Sequence, residues 1–304
     1  MKAITATNIR KSYKNGKEVV EALQPLSFSV DKGELFGFIG PDGAGKTTLF
    51  RILVTLLLAD EGTASVDGCD VVKDYQKIRQ RVGYMPGRFS LYQDLSVEEN
   101  LNFFATIFRT TVKENYHLIK DIYEQLAPFA DRPAGKLSGG MKQKLALCCA
   151  LIHKPSVLFL DEPTTGVDAV SRKEFWEMLK RLKEQGITIL VSTPYMDEAS
   201  LCDRVALMQE GRFLKIDTPE NIIQNFNRPL YAVKGEDMYS LLHLLKETRG
   251  IQNAYPFGEY HHVVAQDETM TEDLLRTALQ APMNTEIKRV NADIEDCFIY
   301  EMQV

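Results

Sequence analysis

Three short stretches carry side chains able to do chemistry. The first, Gly40-Pro41-Asp42-Gly43-Ala44-Gly45-Lys46-Thr47, fits G-x-x-x-x-G-K-[ST]. Its glycines let backbone N–H groups close around phosphate oxygens, and a helix starting there adds a partial positive charge. Lys46 would reach the β- and γ-phosphates of a nucleotide, and Thr47 would coordinate Mg2+. The second is Val157-Leu158-Phe159-Leu160 followed by Asp161 and Glu162. There an apolar strand would deliver Asp161 to hold Mg2+ and Glu162 to polarise an attacking water. Acidic strand ends are common, so this pair gains its meaning from the phosphate loop. The third is Leu137-Ser138-Gly139-Gly140-Met141-Lys142-Gln143. Ser138 reads as the N-cap of a helix, and the glycines allow the backbone close to a ligand.

These groups must be delivered by strands and helices. Residues 35–39 form a short apolar run that predicts a strand, 40–48 a glycine-rich turn, and 47–58 a helix. Residues 157–160 predict a second buried strand. In 171–185 the apolar positions Phe175, Met178, Leu179 and Leu182 recur at helical spacing, with Gly186 as the stop. Residues 187–191 predict a third core strand. Residues 205–209 and 212–216, split by Glu210-Gly211, predict a hairpin. Strands alternating with helices imply an α/β fold, a mostly parallel sheet covered on both faces. Residues 90–152 read as a helical insertion. From 217 onward the pattern changes to a small α+β unit: strands near 230–233, 261–265 and 285–290, helices near 238–248 and 271–281. That alternation suggests a ferredoxin-like sandwich. The expected division is 1–216 and 217–304.

Composition is that of an ordinary globular protein. The 304 residues suit two domains, and 44% hydrophobic with 26% charged residues excludes disordered and collagen-like classes. A net charge of −6 argues against a nucleic-acid partner. The five cysteines show no metal-ligand spacing; Cys148 and Cys149 lie in an apolar run and read as buried in a reducing, cytoplasmic compartment. The first residues, MKAITATNIRKSY, do not read as a signal peptide. The longest apolar runs, 52–59 and 145–152, are far below the ~20 residues of a membrane span. Any membrane role would then come through a partner. His261 and His262 lie on an expected strand and read as solvated rather than as ligands.

Leu137–Gln143 is similar to the signature motif of the ABC-type ATPases. The order phosphate loop, helical insertion, signature, then Leu160-Asp161-Glu162-Pro163-Thr164-Thr165-Gly166-Val167-Asp168 resembles that family over residues 1–216. The resemblance implies a P-loop NTPase fold with a helical subdomain at about 90–152, ATP and Mg2+ as ligands, and ATPase activity with Glu162 as the catalytic group. It implies nucleotide contacts from Gly40, Asp42, Gly43, Ala44, Gly45, Lys46, Thr47 and Thr48, with Tyr13 stacking on adenine. It implies metal contacts from Thr47 and Asp161. Ser138, Gly139 and Gly140 would serve a nucleotide bound by the opposite subunit. Asp168 would belong to a loop along the dimer interface.

Two positions depart from the family. Gly87 stands where a glutamine is expected after Val82-Gly83-Tyr84-Met85-Pro86, and Pro194 stands where the switch histidine is expected after Thr193. Arg88 and Gln93 are nearby polar groups that could compensate. Residues 292–299, together with 84–101, resemble ATPases that serve ABC-2 type exporters. These features imply an exporter ATPase with a partly degenerate site, held at the inner face of the cell membrane by its permease. They also imply a second ATPase subunit, a heterodimer in preference to a homodimer. The alternative is a nucleotide-gated regulatory or structural subunit with little hydrolysis. A soluble ABC protein of translation or DNA repair is disfavoured, because neither a second ATPase half nor a long coiled coil is evident. The tail could support the dimer or regulate it.

Overall fold

The computed structural model describes residues 1–16, 18–279 and 285–302. They divide into two compact units, Met1–Thr218 and Pro219–Val304.

The first unit opens with β1 (Lys2–Asn15) and β2 (Glu18–Asp31), followed by β3 (Leu35–Ile39) and α1 (Lys46–Leu53). Next come β4 (Glu61–Val66), β5 (Cys69–Asp70), α2 (Tyr75–Arg81) and β6 (Val82–Met85). A helical stretch holds α3 (Val97–Ile107), α4 (Val112–Tyr123) and α5 (Gly139–Leu151). The unit ends with β7 (Val157–Asp161), α6 (Ala169–Glu184), β8 (Thr188–Thr193), β9 (Arg204–Gln209) and β10 (Arg212–Asp217).

Two sheets result. One has the order β2-β1-β4-β5, and its paired strands run antiparallel. The other has the order β10-β9-β3-β8-β7-β6, parallel except for the β9–β10 hairpin. Every residue of β3, β7 and β8 is buried, as a parallel sheet covered on both faces requires. Phe36 and Phe38 of β3, Phe50 of α1 and Phe159 of β7 meet on one face, with Phe50 edge-on to Phe38 at 5.7 Å and to Phe159 at 5.5 Å. Burying each such ring stabilises by about 1.5–3 kcal/mol. This packing seats α1, and with it the phosphate loop, on the sheet.

The helix expected over 47–58 stops at Leu53. Thr55 turns left-handed at φ 66°, and Arg79 holds it there by donating to its hydroxyl and its carbonyl, both at 2.8 Å. The β1–β2 hairpin has no counterpart in the sequence reading.

The second unit contains α7 (Pro219–Gln224), β11 (Leu230–Lys234), α8 (Met238–Glu247) and β12 (Ile251–Phe257). It continues with β13 (Tyr260–Ala265), α9 (Glu272–Ala278), β14 (Glu286–Val290) and α10 (Ile294–Glu301). Residues 280 and 281 of the expected 271–281 helix lie outside the described residues. The antiparallel order β12-β13-β11-β14 is the ferredoxin-like arrangement. One sheet face packs Tyr231, Val233, Val263 and Ala265 against Leu245 of α8 and Leu275 of α9. The other packs Leu230, Tyr255 and Val264 against Ile299 and Tyr300 of α10.

Coverage on both faces corrects the expectation for His261 and His262. They point to opposite faces of β13, and both are buried. His261 Nε2 lies 2.7 Å from the Met238 carbonyl. His262 Nδ1 lies 2.6 Å from Asp296 Oδ1, which also accepts from the Tyr255 hydroxyl at 2.7 Å.

Candidate functional site

In the parallel sheet Ile39 pairs with Thr193, and Asp161 pairs with Ser192. The carboxyl ends of β3, β7 and β8 are therefore adjacent, the place where open parallel sheets bind ligands.

From the end of β3 the chain turns sharply into α1. Gly45 has φ 102° and a Cβ there would stand 2.5 Å from the Ala22 carbonyl oxygen, so only glycine fits. A side chain at Gly40 would run into the Met208 carbonyl. The glycines thus keep open a backbone cradle that side chains would fill. Asp42, Gly43 and Ala44 complete the turn, with Ala44 N donating to the Pro41 carbonyl at 3.2 Å.

Lys46 is only 3% exposed. Its ammonium donates to the Gly40 and Pro41 carbonyls at 2.7 and 2.9 Å and lies 3.5 Å from Glu162 Oε1. Burial pushes its pKa below the usual 10.5, with the nearby Glu162, Asp42 and Asp161 carboxylates opposing. A cation held by two neutral carbonyls and one half-exposed carboxylate is a ready partner for an incoming anion.

Thr47 donates its hydroxyl to Asp161 Oδ1 at 3.1 Å, and Ser192 donates to the same oxygen at 2.6 Å. Hydroxyl and carboxylate are hard oxygen ligands of the kind Mg2+ takes, few enough to leave room for phosphate and water. Loop, ammonium and oxygen pair therefore fit MgATP. Glu162 follows with φ 49°, its amide donating to Ser192 O at 3.0 Å and to Ser192 Oγ at 3.1 Å. Tyr84 lies nearby; burial, then the Asp161 charge, push its phenol up to about 12.

The remaining expected residues are placed as follows. The Tyr13 ring is 39% exposed, and its hydroxyl lies 3.5 Å from Thr48 Oγ1. Gly87 is exposed beside the acidic pair; a Cβ there would stand 3.1 Å from the Asp161 carbonyl. Pro194 follows β8 directly and is half-buried. Arg88 is exposed, and the backbone carbonyl of Gln93 accepts from Gly135 N at 2.9 Å.

Ser138 caps α5, accepting from Met141 N at 3.3 Å. Gly139 and Gly140 lie against Gly166 and Ser171. Asp168 caps α6, accepting from Val170 N and Ser171 N at 3.1 and 3.0 Å; the Ser171 bonds hold its carboxyl below the usual range. The signature and the 166–171 segment thus form one surface.

Sequence reasoning missed Ser192, for which the available signal was a polar residue at the end of an apolar strand.

The family pattern described as "ABC transporter" matches residues 23–165. The chain is 38% identical over 282 residues to the "Probable multidrug ABC transporter ATP-binding protein YbhF" of Escherichia coli, covering 91% of this chain and 48% of the relative. It therefore spans about half the length of that protein. It is 35% identical to a "Nod factor export ATP-binding protein I" of Mesorhizobium japonicum, covering 98% of this chain and 86% of the relative. It is 34% identical to "ABC transporter ATP-binding protein NatA" of Bacillus subtilis, covering 82% and 99%. Among solved structures, it resembles the dimeric, post-hydrolysis ATP-binding cassette MJ0796 bound to ADP and Pi. The TM-score is 0.64 at 26% identity, covering 71% of this chain and 98% of that one. With the phosphate loop, acidic strand end and signature on one frame, and two relatives matched along most of their length, the chain belongs to the ATP-binding proteins of the ABC transporters.

Proposed function

We propose that this chain binds MgATP at the Lys46 loop and works as the ATPase subunit of an exporter, driving a separate ABC-2 type membrane permease. The meeting of Lys46 and Thr47, which follow β3, with Asp161 and Glu162, at the end of β7 on the other side of β8, carries the reading. MgATP supplies the phosphoanhydride whose hydrolysis powers transport. Lys46 would exchange carbonyl partners for phosphate oxygens, Thr47 and Asp161 would hold Mg2+, and Glu162 would take a proton from the attacking water. Tyr13, beside Thr48, would stack on the base. Export is supported by the names of the Nod factor and multidrug relatives. No helix among the described residues is long and apolar enough to cross a membrane, which fits a subunit held at the inner membrane face by its permease. An apolar groove of about 280 Å³, lined by Met85, Pro86, Leu91, Phe104, Phe108 and His153 among others, suits a permease helix.

The assembly we infer is a heterodimer of ATPase subunits. Gly87 and Pro194 offer no side-chain donor beside the nucleotide, whereas Ser138, Gly139 and Gly140 are intact and surface-placed for a partner's ATP. Two-fold symmetry would repeat the defect in a homodimer. The deciding experiment co-expresses the chain with a candidate partner ATPase. Ser138→Arg should abolish most ATPase activity of the mixed complex, and Glu162→Gln in this chain should cost much less. The reverse ranking removes the heterodimer. A complex that binds ATP but turns over negligibly favours the nucleotide-gated regulatory subunit, a reading Pro194 also supports.

A further inference from the structure

We propose that Glu198 is a positioning residue of the nucleotide site: its buried carboxylate ties the loop after Glu162 to the end of β8 and, through Thr193, to the start of the phosphate loop. The inference rests on the reading of that loop as an ATP site.

Glu198 is 1% exposed, yet it carries a carboxylate. Both oxygens are used. Thr164 Oγ1 donates to Oε1 at 2.8 Å, and Thr193 Oγ1 donates to Oε2 at 2.5 Å. The donors come from different segments, Thr164 from the 162–168 turn and Thr193 from the last position of β8. Thr193 is itself a junction. Its hydroxyl accepts from Tyr195 N at 3.1 Å, and its carbonyl accepts from Gly40 N at 3.2 Å. One continuous path therefore runs Thr164–Glu198–Thr193–Gly40, from the segment that carries Asp168 to the first glycine of the phosphate cradle.

Arg172 reinforces it from α6. Its guanidinium donates to Asp197 at 2.8 Å, lies 3.8 Å from Glu198 Oε1 and covers the Tyr195 ring at 4.9 Å. An apolar side chain would fill this place without the cost of burying a charge. What the carboxylate adds is direction, because two acceptors on a short planar group fix two hydroxyls relative to one another. Residue 194 is proline and has no side-chain polar group to hold the loop, so the anchoring falls to residues on either side of it.

The test uses the full chain, a fluorescent ATP analogue with Mg2+, and amide hydrogen exchange. Glu198→Ala should weaken nucleotide binding about tenfold, equivalent to about 1.4 kcal/mol. Exchange should rise at Gly40, Tyr195 and the 164–168 amides, while the 189–191 amides inside β8 keep their protection. Glu198→Gln, which preserves shape and one acceptor, should recover most of the affinity. Thr164→Val, which removes one donor without touching Glu198, should reproduce part of the loss and serves if Glu198→Ala does not fold. Wild-type affinity in Glu198→Ala, or in Thr164→Val where it substitutes, would overturn the proposal, as would uniform loosening that includes 189–191. Failure of the wild-type chain to bind the analogue would instead overturn the ATP-site reading.

Discussion

Glu162 does its proposed work from a strained backbone, and two substitutions separate the strain from the chemistry. Its φ of 49° lies in the left-handed region, pinned by amide bonds to Ser192 O and Oγ at 3.0 and 3.1 Å. That region costs a residue with a Cβ about 1–2 kcal/mol. Glu162→Gln and Glu162→Gly both remove the charge 3.5 Å from the Lys46 ammonium and both remove the base. Each should cut phosphate release from this chain's loop by about 10²–10⁴-fold. Only the glycine variant relieves the strain. Its greater freedom when unfolded takes back about 0.5–1 kcal/mol. Taking the middle of each range, Glu162→Gly should therefore exceed Glu162→Gln in stability by roughly 0.75 kcal/mol, or about 1.5–3 °C for a unit of this size. The single tryptophan, Trp176, is buried in α6, so its fluorescence follows unfolding of the first unit. Equal melting of the two variants, or a more stable glutamine variant, would refute the idea that the backbone at 162 stores strain.

Lys46→Ala should raise the Kd for MgATP by about 10–100-fold, the loss of a charge-assisted contact; an unchanged titration would sink the assignment. Burial lowers the Lys46 pKa from 10.5, so the charged lysine opposes folding at neutral pH, and stability should rise as pH climbs from the folded pKa toward 10.5. MgATP affinity should fall over the same alkaline window, and a pH-independent Kd there would contradict it. Pro194→His with Gly87→Gln should raise phosphate release by about 10²-fold or more. The double variant is the decisive one, since proline fixes φ at about −65° and the loop is shaped around it, so a failed Pro194→His alone decides less; no increase in the double variant would dispose of the degenerate-site argument. In the second unit, Asp296→Ala should cost about 3–5 kcal/mol by stranding His262 and Tyr255, measured by urea unfolding; a loss under about 1 kcal/mol would count against the buried cluster. Desolvation raises the Asp296 carboxyl, but bonds from His262, Asp293 N and Tyr255 outweigh it and hold it below 3.8. Its contribution should be present above pH 3.8 and vanish as pH falls through the folded value.

The chemistry of the site was legible because its residues follow one another along the chain. Glycine spacing around Lys46 and an apolar run ending in Asp161 are local signals, and so are the strands at 35–39 and 157–160. What escaped the sequence was set by distance. The hydroxyl of Ser192 acquires meaning only when β8 lies beside β7, and Glu198 only when Thr164 and Thr193 arrive from separate segments. The β1–β2 hairpin was missed because its pairing shifts register at several points, which breaks the alternation that a sheet buried on one face would otherwise show. His261 and His262 looked solvated because adjacent strand residues face opposite ways. Only a sheet packed on both sides buries the pair.

The position of β3 has a consequence for synthesis on the ribosome. Its two neighbours are β8 and β9, whose first residues, Thr188 and Arg204, lie roughly 150 residues beyond it. At about 5–20 residues per second, the strand that presents the phosphate loop waits roughly 8–30 s for either edge to be paired. The neighbouring sheet, with β1, β2 and β4 all complete by Val66, can assemble in that interval. Nascent chains should therefore remain blind to nucleotide until late in translation, leaving the apolar β3 to be shielded by chaperones meanwhile. Synonymous changes that slow decoding between β7 and β9 would lengthen that exposure without altering a single contact in the finished protein.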